Sequence, residues 1–448
     1  MSIRSIPTLV KVDPHGVHLR ESNVHNRWHP EIPAVARAQP GQAFKVECMD
    51  FTGNFFQNSD TADDILEYDW NTDHHLSGPV AIDSAEPGDV LVVDILETGS
   101  GATQSPQVDS CFLVNHRLTS AQDPGLGPLD KAHTKVAKSI WDFEGVKASS
   151  RHVPGVEFCG RPHPGVIGTA PSKELLAVWE SRERGINERY VNHGHICAIE
   201  PSSSGAFVGQ DLPQDLMDKI RNEGARTKPA REHGGNIDSA SLTRGSRIYL
   251  PVFVQGANLS VGDLHFSQGD GEPTCALEMA GTVTLKCTVL KSGMEKLKLK
   301  APIVLPSPAE PLYRNQVVFH GLSVDEDGVQ QKSSLTTAYI AAAWNAMDHL
   351  QRVCGYSHEQ AYMIMAVAPI ESRVLAVPNI PTANVSVGLP IDIFDVDIRP
   401  SIDSPPVEDR SAACAYLTPE RLARLEKEHK PGRTPFRDYD ADQVNGSS

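Results

Sequence analysis

Short runs of alternating or β-branched apolar residues recur along the chain and are separated by Gly, Pro, Asp and Asn. The clearest runs are residues 43–48, 90–96, 246–254 and 282–290. Apolar and β-branched side chains between turn residues are typical of strands in a sheet. The pattern therefore predicts a protein that is mainly β.

Apolar residues with a helical period occur in fewer places. The longest such stretch is Ala-rich, covers residues 334–353 and ends at Gly355. A second helix is predicted over residues 357–367, where Ser357 is the expected N-cap and Gln360 occupies the capping-box position. We therefore predict a helix pair in the C-terminal part of the chain. Two further helices are predicted over residues 172–184 and 212–222.

The length of 448 residues and the hydrophobic content of 40% allow a substantial core. We predict one main body over residues 1–398 and a C-terminal arm over residues 399–448. The body is expected to divide into an N-terminal β portion (1–160), an insertion (172–232), a β core (233–330), and the helix pair with the final strands (331–398).

The C-terminal arm is Pro-rich at first, then charged, and polar at its end. A short helix is predicted near residues 419–429, and a disordered tail is the alternative. Several apolar side chains in the arm favour packing on a neighbouring subunit; they are Tyr416, Leu417, Leu422 and Leu425.

The net charge of −16 argues against nucleic acid and anionic membranes as partners, because both attract Lys and Arg. The chain contains no apolar run of the roughly 18 residues that a membrane span needs. Its first residues, MSIRSIPTLVKVD, show no apolar signal region. The eight cysteines are scattered singly and are expected to be reduced thiols. These features predict a soluble, cytoplasmic protein.

The segment 262–272 carries the most candidate chemistry, because it combines three glycines with Asp263, His265, Asp270 and Glu272. Positions i and i+2 of a strand share a face, so Asp263 could orient the His265 imidazole, or both could face one cation. A core histidine and a turn aspartate are the alternatives. Asp270 and Glu272 would repel each other unless one is protonated or a cation lies between them. A solvated loop is the alternative for this second pair.

Two further segments offer polar side chains in a fixed backbone. After the turn at Gly234 and Gly235, Asn236 and Asp238 alternate onto one face, which suits a metal or a small polar substrate, or else a structural Asx turn. His163 lies between two prolines that stiffen its backbone. That rigidity suits a catalytic residue, although it also occurs for architectural reasons. Cys159 lies nearby, so a thiol nucleophile is a further alternative.

The end of the first predicted strand adds one more group of polar residues. Asp50, with Gln57 and Asn58, could line a polar pocket. His74 and His75 are consecutive, so at most one of them is expected to face a site in extended backbone.

Six segments together resemble the acetamidase/formamidase family of amide hydrolases. The resemblance runs from about residue 40 to about residue 395 and, in the insertion between residues 169 and 234, is similar to the long formamidases. The matching segments are SGPV at 77–80, AEPGDVL at 85–91, GVIGTAP at 165–171, GGNID at 234–238, LPVFVQGA at 250–257 and GDLHFSQGDGE at 262–272.

The resemblance implies a mainly β fold with α+β parts, of the β-sandwich type (CUB-like or jelly-roll-like), with the helix pair appended. It also implies hydrolysis of a short amide, formamide being the expected substrate and acetamide the alternative. A homo-oligomer (trimer, tetramer or hexamer) and a bound divalent metal, zinc or calcium, are further implications. The metal ligands carried over to the matching positions are Asp238, His265 and Glu272.

An amide hydrolase must activate water, polarise the carbonyl and protonate the departing ammonia. We expect Glu272 to be the general base, with Asp270 as the second catalytic acid. His163 or Asn236 would bind the carbonyl oxygen. The substrate amide would be held by Gln268 and Asp50, and a small pocket would be restricted by Phe55, Phe56 and Phe266. A non-catalytic β-sandwich module that binds a cation is the rival interpretation.

Overall fold

Strand outweighs helix in the computed structural model, with 35% of residues in strands and 23% in helices, which confirms the mainly β prediction. The structure describes residues 6–12, 22–99, 109–113, 129, 135–189, 203–307, 315–325, 327–376, 383–399 and 407–428. Cys197 and residues 400–406 and 429–448 of the predicted arm lie outside the described residues.

The strands of the described residues are numbered in chain order. They are β1 Thr8–Val10, β2 Val24–His25, β3 Ala36–Ala38, β4 Ala43–Cys48, β5 Leu76–Ile82, β6 Val90–Gly99, β7 Asp109–Leu113, β8 Ala137–Glu144, β9 Lys147–Ser150, β10 Val153–Cys159, β11 His163–Gly168, β12 Ala230–Arg231, β13 Gly234–Asn236, β14 Arg247–Pro251, β15 Leu259–Ser267, β16 Leu277–Met279, β17 Gly281–Leu290, β18 Ile303–Leu305, β19 Gln316–Leu322, β20 Glu371–Ala376, β21 Asn384–Pro390 and β22 Ala415–Tyr416.

The predicted helices are all present in the structure. The helices are α1 Lys173–Arg189, α2 Gln214–Glu223, α3 Gly293–Leu297, α4 Leu335–Cys354, α5 His358–Val367 and α6 Pro419–Glu428. The predicted end of α4 is confirmed, since Gly355 takes a left-handed φ of 71°. The capping box of α5 is also present, because the Ser357 side chain accepts from Gln360 N–H while the Gln360 side chain accepts from Ser357 N–H.

Two large sheets form most of the body. The first has the strand order β1-β4-β17-β6-β14-β18. The second has the order β12-β13-β11-β15-β5-β2, with β16 added to β15 and β3 added to β5. A third sheet contains β10-β9-β8-β22 with β7, and a small fourth sheet contains β19-β21-β20.

One hydrophobic core joins the sheets and the helix pair. Phe44 and Leu285 contribute from the first sheet, and Val261 and Leu264 contribute from the second, all of them buried. The whole of α5 is buried in the same core. The helix pair therefore packs inside the body, next to the end of β15.

The described part of the arm packs on its own chain, and packing on a neighbouring subunit stays a prediction. Its strand β22 pairs with β8, with Tyr416 opposite Ala137. Leu417 is 9% exposed and packs in a small cluster that includes Phe51 and Ile65. The Tyr416 hydroxyl donates to Glu359 of α5 at 3.0 Å. The boundaries that we predicted between body and arm stay predictions.

None of the helices in the described part of the chain has the length and apolarity that a membrane crossing would require.

A buried lysine of the third sheet forms hydrogen bonds with the segment that follows β4. The Lys138 side chain is 0% exposed, and its ammonium donates to Asp64 Oδ2 at 2.7 Å. It also donates to the carbonyl of Gln57 and to Ser59 Oγ, both at 3.0 Å. All three ammonium protons are therefore used, which is the condition for burying such a charge.

We predict that Lys138→Met lowers the free energy of unfolding by about 3 kcal/mol, because it leaves the Asp64 carboxylate without its cation. The midpoint of chemical denaturation measures this loss. Lys147→Met on the adjacent strand is the matched control, since its partner Glu157 is 53% exposed. That control should cost less than about 1 kcal/mol. Equal losses in the two variants would contradict the assignment.

Candidate active site

The candidate site is built around β15, a central and fully buried strand of the second sheet. His265 of β15 lies opposite His163 of β11 on one side and opposite Glu278 of β16 on the other. Residues directly opposite each other across neighbouring strands project from the same face. The sheet therefore aligns two imidazoles and one carboxyl group in a row.

Asp263 joins this row because it lies two residues before His265, on the same face of the strand. Its Oδ2 lies 3.4 Å from His265 Nε2. Gly165 of β11 makes room for the pair, since a Cβ at this glycine would lie 2.6 Å from His265 Nε2 and 2.7 Å from Asp263 Oδ2. The prediction that Asp263 and His265 face the same place is confirmed.

Two acids reach the row from outside the strand. Asp238 follows β13, has a φ of 41°, and its N–H donates to the Gly165 carbonyl at 3.2 Å. Glu272 lies in the turn after β15 with a φ of 34°, and its N–H donates to the Gly269 carbonyl at 3.0 Å. Both residues therefore hold left-handed backbone conformations that place their carboxyl groups beside His265.

Four carboxyl groups surround the His265 imidazole as a result. Asp238, Asp263 and His265 offer ligand atoms that lie within 4.8 Å of one another, and so do His265, Glu272 and Glu278. Asp263, His265 and Glu278 are buried, with exposures of 3%, 0% and 4%. Asp238 and Glu272 are half-buried. The three buried residues form the floor of the site, and Asp238 and Glu272 are its partly exposed residues.

The four acids lie as two close pairs, Asp238 with Glu272 and Asp263 with Glu278. Burial raises the pKa of Glu272 well above its usual range, and the neighbouring Asp238, which shares a hydrogen bond with it, raises that pKa further. Burial and the charge of Asp263 act in the same way on the pKa of Glu278. Burial also raises the pKa of Asp238. Burial and mutual repulsion therefore disfavour full ionisation of the four acids.

Asp263 is the ionised centre of the cluster. Burial opposes its ionisation, but the imidazoles of His74 and His265 outweigh burial and hold the pKa of Asp263 below its usual range. Burial also disfavours a charged His265, yet Asp263 outweighs it and raises the pKa of this imidazole. His74 donates its main-chain N–H to Thr227 Oγ1 at 2.6 Å, which fixes the residue beside the site.

Three atoms of the cluster have no hydrogen-bond partner among the described residues, although all are buried. They are Asp238 Oδ1, His265 Nε2 and Glu278 Oε2. His265 Nε2 lies only 3.5 Å from Glu278 Oε2. Unpartnered imidazole nitrogen and carboxylate oxygen atoms that converge are the donor set of a divalent cation. The residues present therefore fit a metal ion.

The structure separates Asp270 from Glu272, which were expected to face one substrate. The Asp270 carboxyl accepts from the Ser372 N–H of β20 at 3.0 Å, and Asp270 lies outside both groups of converging ligand atoms. Gly271 has the positive φ of a tight turn, 95°, and the glycines also allow close packing. A Cβ at Gly269 or Gly271 would overlap the helix pair, at the Met365 carbonyl and the Tyr339 ring respectively.

Gln268 and Asp50 were expected to hold the substrate, but their side chains form hydrogen bonds with other residues of the chain. Gln268 is 3% exposed; its oxygen faces both His163 and His265, and its nitrogen donates to the Asp238 carbonyl. Asp50 Oδ1 accepts from Thr52 N–H at 2.8 Å and from Asn54 N–H at 2.8 Å, so it forms the turn after β4. Burial raises the pKa of Asp50.

His163 and Asn236, expected to bind the carbonyl oxygen, both lie beside the cluster. His163 is 0% exposed, its ring meets His265 edge to face at 5.1 Å, and burial lowers its pKa to about 3. Its two ring nitrogens face the Arg161 carbonyl at 2.6 Å and Gln268 Oε1 at 3.0 Å. Asn236 donates its amide to the Lys228 carbonyl at 3.0 Å.

Among the aromatic residues expected in the pocket, Phe266 faces away from the site. It follows His265 on the strand and stacks on Phe143 at 3.9 Å. Phe55 and Phe56 instead belong to an aromatic group after β4, where both rings contact Tyr68.

Cys159, the alternative nucleophile, ends β10 opposite Lys147, outside both groups of converging ligand atoms.

Sequence reasoning missed Glu278 and left His74 without a role. Glu278 stands between Leu277 and Met279 in a short apolar strand, and a lone charge in such a run is the signal that could have identified it. The consecutive histidines 74 and 75 diverge, as expected. His75 Nδ1 faces the Phe51 carbonyl at 2.9 Å, whereas His74 acts on Asp263.

The chain is similar to known proteins over most of its length. A formamidase of Methylophilus methylotrophus is 43% identical over 390 residues, which cover 87% of this chain and 93% of that protein. An acetamidase of Mycolicibacterium smegmatis is 43% identical over 373 residues, which cover 82% of this chain and 91% of that protein. The solved structure of a gamma lactamase from Delftia acidovorans has 44% identity and a TM-score of 0.83, covering 89% of this chain and 96% of that one.

The fold and the site together define a mainly β protein with a buried centre of carboxyl groups and one imidazole. The model of the Acetamidase/Formamidase family matches residues 11–396, and the chain belongs to this family. The resemblance found in the sequence motifs is thereby confirmed.

We predict that Gly165→Ala disrupts the cluster, because the added methyl group would collide with His265 and Asp263. Overpacking of this kind costs about 1–3 kcal/mol. Denaturation midpoints and Zn²⁺ uptake in equilibrium dialysis should both fall. Gly99→Ala is the control, since a Cβ at Gly99 meets no atom within 4 Å. Unchanged Zn²⁺ uptake by Gly165→Ala would contradict the close packing of the pair.

Proposed function

We propose that the protein hydrolyses a short aliphatic amide, formamide to formate and ammonia, with acetamide as the alternative substrate. The observation that carries the proposal is the convergence of Asp238, Asp263, Glu272 and Glu278 on the His265 imidazole. Family membership and relatives named formamidase and acetamidase support the choice of a linear amide.

We further propose that the centre holds a divalent metal through Asp238, Asp263, His265, Glu272 and Glu278. Such an ion, when bound, polarises a carbonyl oxygen and lowers the pKa of water. The imidazole nitrogen favours zinc, because Ca²⁺ takes oxygen ligands. The crowding of four carboxyl groups also supports a cation, since their mutual repulsion raises the pKa of Glu272 and Glu278 and a cation would relieve it.

Glu272 is the general base of the proposed mechanism. It is one of the two partly exposed acids of the cluster, which makes it accessible to a water molecule. With a cation at the centre Glu272 would be ionised, and it could then take a proton from water and give it to the departing ammonia. Asp263, held ionised by His74 and His265, keeps the charge of the floor fixed during that transfer.

The first test is an ammonia-release assay with formamide, acetamide and urea. We expect release from formamide and a lower rate with acetamide, since the site lies beside a tightly packed aromatic group. Release from none of the three, with Zn²⁺ bound, would support the rival, a non-catalytic cation-binding module.

We predict that Glu272→Gln lowers kcat by at least about 100-fold, because it removes the proton acceptor. Asp270→Asn in the same turn is the contrast. Its side-chain oxygen can still accept from Ser372 N–H, so it should retain turnover within about a factor of ten. Steady-state kinetics with formamide measure both. If the two substitutions cost the same, the base assignment is wrong.

Removal of the metal is predicted to abolish ammonia release. Protein dialysed against a strong chelator should lose activity and recover it with added Zn²⁺, while protein dialysed against buffer alone retains it. Elemental analysis measures the metal content of both samples. Full activity in chelated protein that contains no metal would refute the metal assignment.

Oligomer formation and a cytoplasmic location stay predictions of the sequence. Light scattering on the purified protein measures the first.

A further inference from the structure

Gln268 occupies the space between the two imidazoles and the Asp238 backbone, and its orientation is determined by that backbone. The side-chain nitrogen lies 2.7 Å from the Asp238 carbonyl oxygen. A carbonyl oxygen only accepts hydrogen bonds, so the NH₂ end of the amide must face it. The Gln268 oxygen therefore has to face the histidines.

The oxygen of Gln268 in turn determines where His265 carries its proton. His265 Nδ1 lies 2.9 Å from Gln268 Oε1, and because this oxygen only accepts, Nδ1 must carry a proton. In the neutral ring Nε2 then has a free lone pair, and in the charged ring Nε2 carries the proton that a cation would replace. It points at Asp263 Oδ2 and Glu278 Oε2, at 3.4 and 3.5 Å. These distances and oxygen partners leave Nε2 ready to ligate a cation.

We propose that Gln268 is a positioning residue that sets the tautomer of His265 for metal binding. This inference rests on the metal assignment of the proposed function. Gln268 does so without touching the ion, because its oxygen is used by the imidazoles and its nitrogen by Asp238. It also joins the backbone of Asp238 to β15, so that one side chain fixes two of the ligands relative to each other.

His163 supports the same arrangement from the other side of the amide. Its Nε2 lies 3.0 Å from Gln268 Oε1, and its ring packs edge to face on His265 with an interplanar angle of 84°. The Gln268 oxygen is thus enclosed by two rings and cannot rotate away without breaking both contacts. His163 acts in this scheme through Gln268.

The test replaces Gln268 with Met, which has a similar length but neither the acceptor nor the donor. Removing a group that orients a metal-ligating histidine typically weakens metal binding about 10–100-fold. We expect a loss of this size for Q268M when the protein competes for Zn²⁺ with a chromophoric chelator.

Gln360→Met is the matched control for the cost of losing a buried glutamine. Gln360 is 0% exposed, and its nitrogen donates to the His152 and Arg410 carbonyls, away from the site. This variant should unfold at lower denaturant concentration and yet bind Zn²⁺ as the wild type does. If Q268M binds Zn²⁺ as tightly as Q360M, the proposal is overturned.

A second measurement reads the tautomer directly. Long-range ¹H–¹⁵N correlations in chelator-treated protein with ¹⁵N-labelled histidine distinguish the two neutral forms, and His265→Asn assigns the signal. At a pH high enough to neutralise the His265 ring, we expect the Nδ1–H form in the wild type and the Nε2–H form in Q268M. A wild-type ring protonated on Nε2 overturns the proposal. Wild-type protein that binds no Zn²⁺ but shows the expected tautomers contradicts the metal assignment instead.

Discussion

The burial of four carboxyl groups around one imidazole is the constraint on which the site depends. Desolvating an isolated carboxylate costs several kcal/mol, and four at this spacing would also repel one another. Burial and repulsion raise the pKa of Asp238, Glu272 and Glu278, whereas the neighbouring imidazoles lower the pKa of Asp263, so ionisation is favoured at one of the four acids. His265 lies between the two pairs. The close spacing of the carboxyl groups makes the cluster unfavourable without a cation, and the same spacing favours binding of a cation.

This arrangement exists because three separate parts of the chain pack against β15. β11 supplies Gly165, the residue without a side chain that admits the His265–Asp263 pair. β16 brings Glu278 opposite His265. The helix pair supports the turn that carries Glu272, since Gly269 N–H donates to the Ala366 carbonyl at 2.7 Å. The fold therefore positions the acids through contacts that are distant in sequence.

The parts of the site that sequence predicted are those governed by local geometry. Asp263 and His265 could be placed on one face because side chains alternate along a strand. The capping box of α5 is equally local, since Ser357 and Gln360 cap each other within one helical turn. Glu278 could not be placed in the same way, because its position opposite His265 arises from strand pairing. Gln268 likewise acquires its partners only when β11 and the Asp238 turn pack beside it.

The two acids of the turn after β15 show how tertiary contacts choose between equivalent residues. Asp270 and Glu272 have the same spacing from Gly271 and the same charge, so the sequence treats them alike. Asp270 N–H donates to the Ile370 carbonyl and its carboxyl accepts from Ser372, which commits Asp270 to the segment after α5. Because Asp270 is held by these two hydrogen bonds, Glu272 is the acid of the turn that reaches His265. The helix pair thus acts on the site by occupying one of the two carboxyl groups, and the glycines beside them allow the turn to pack closely enough for this to happen.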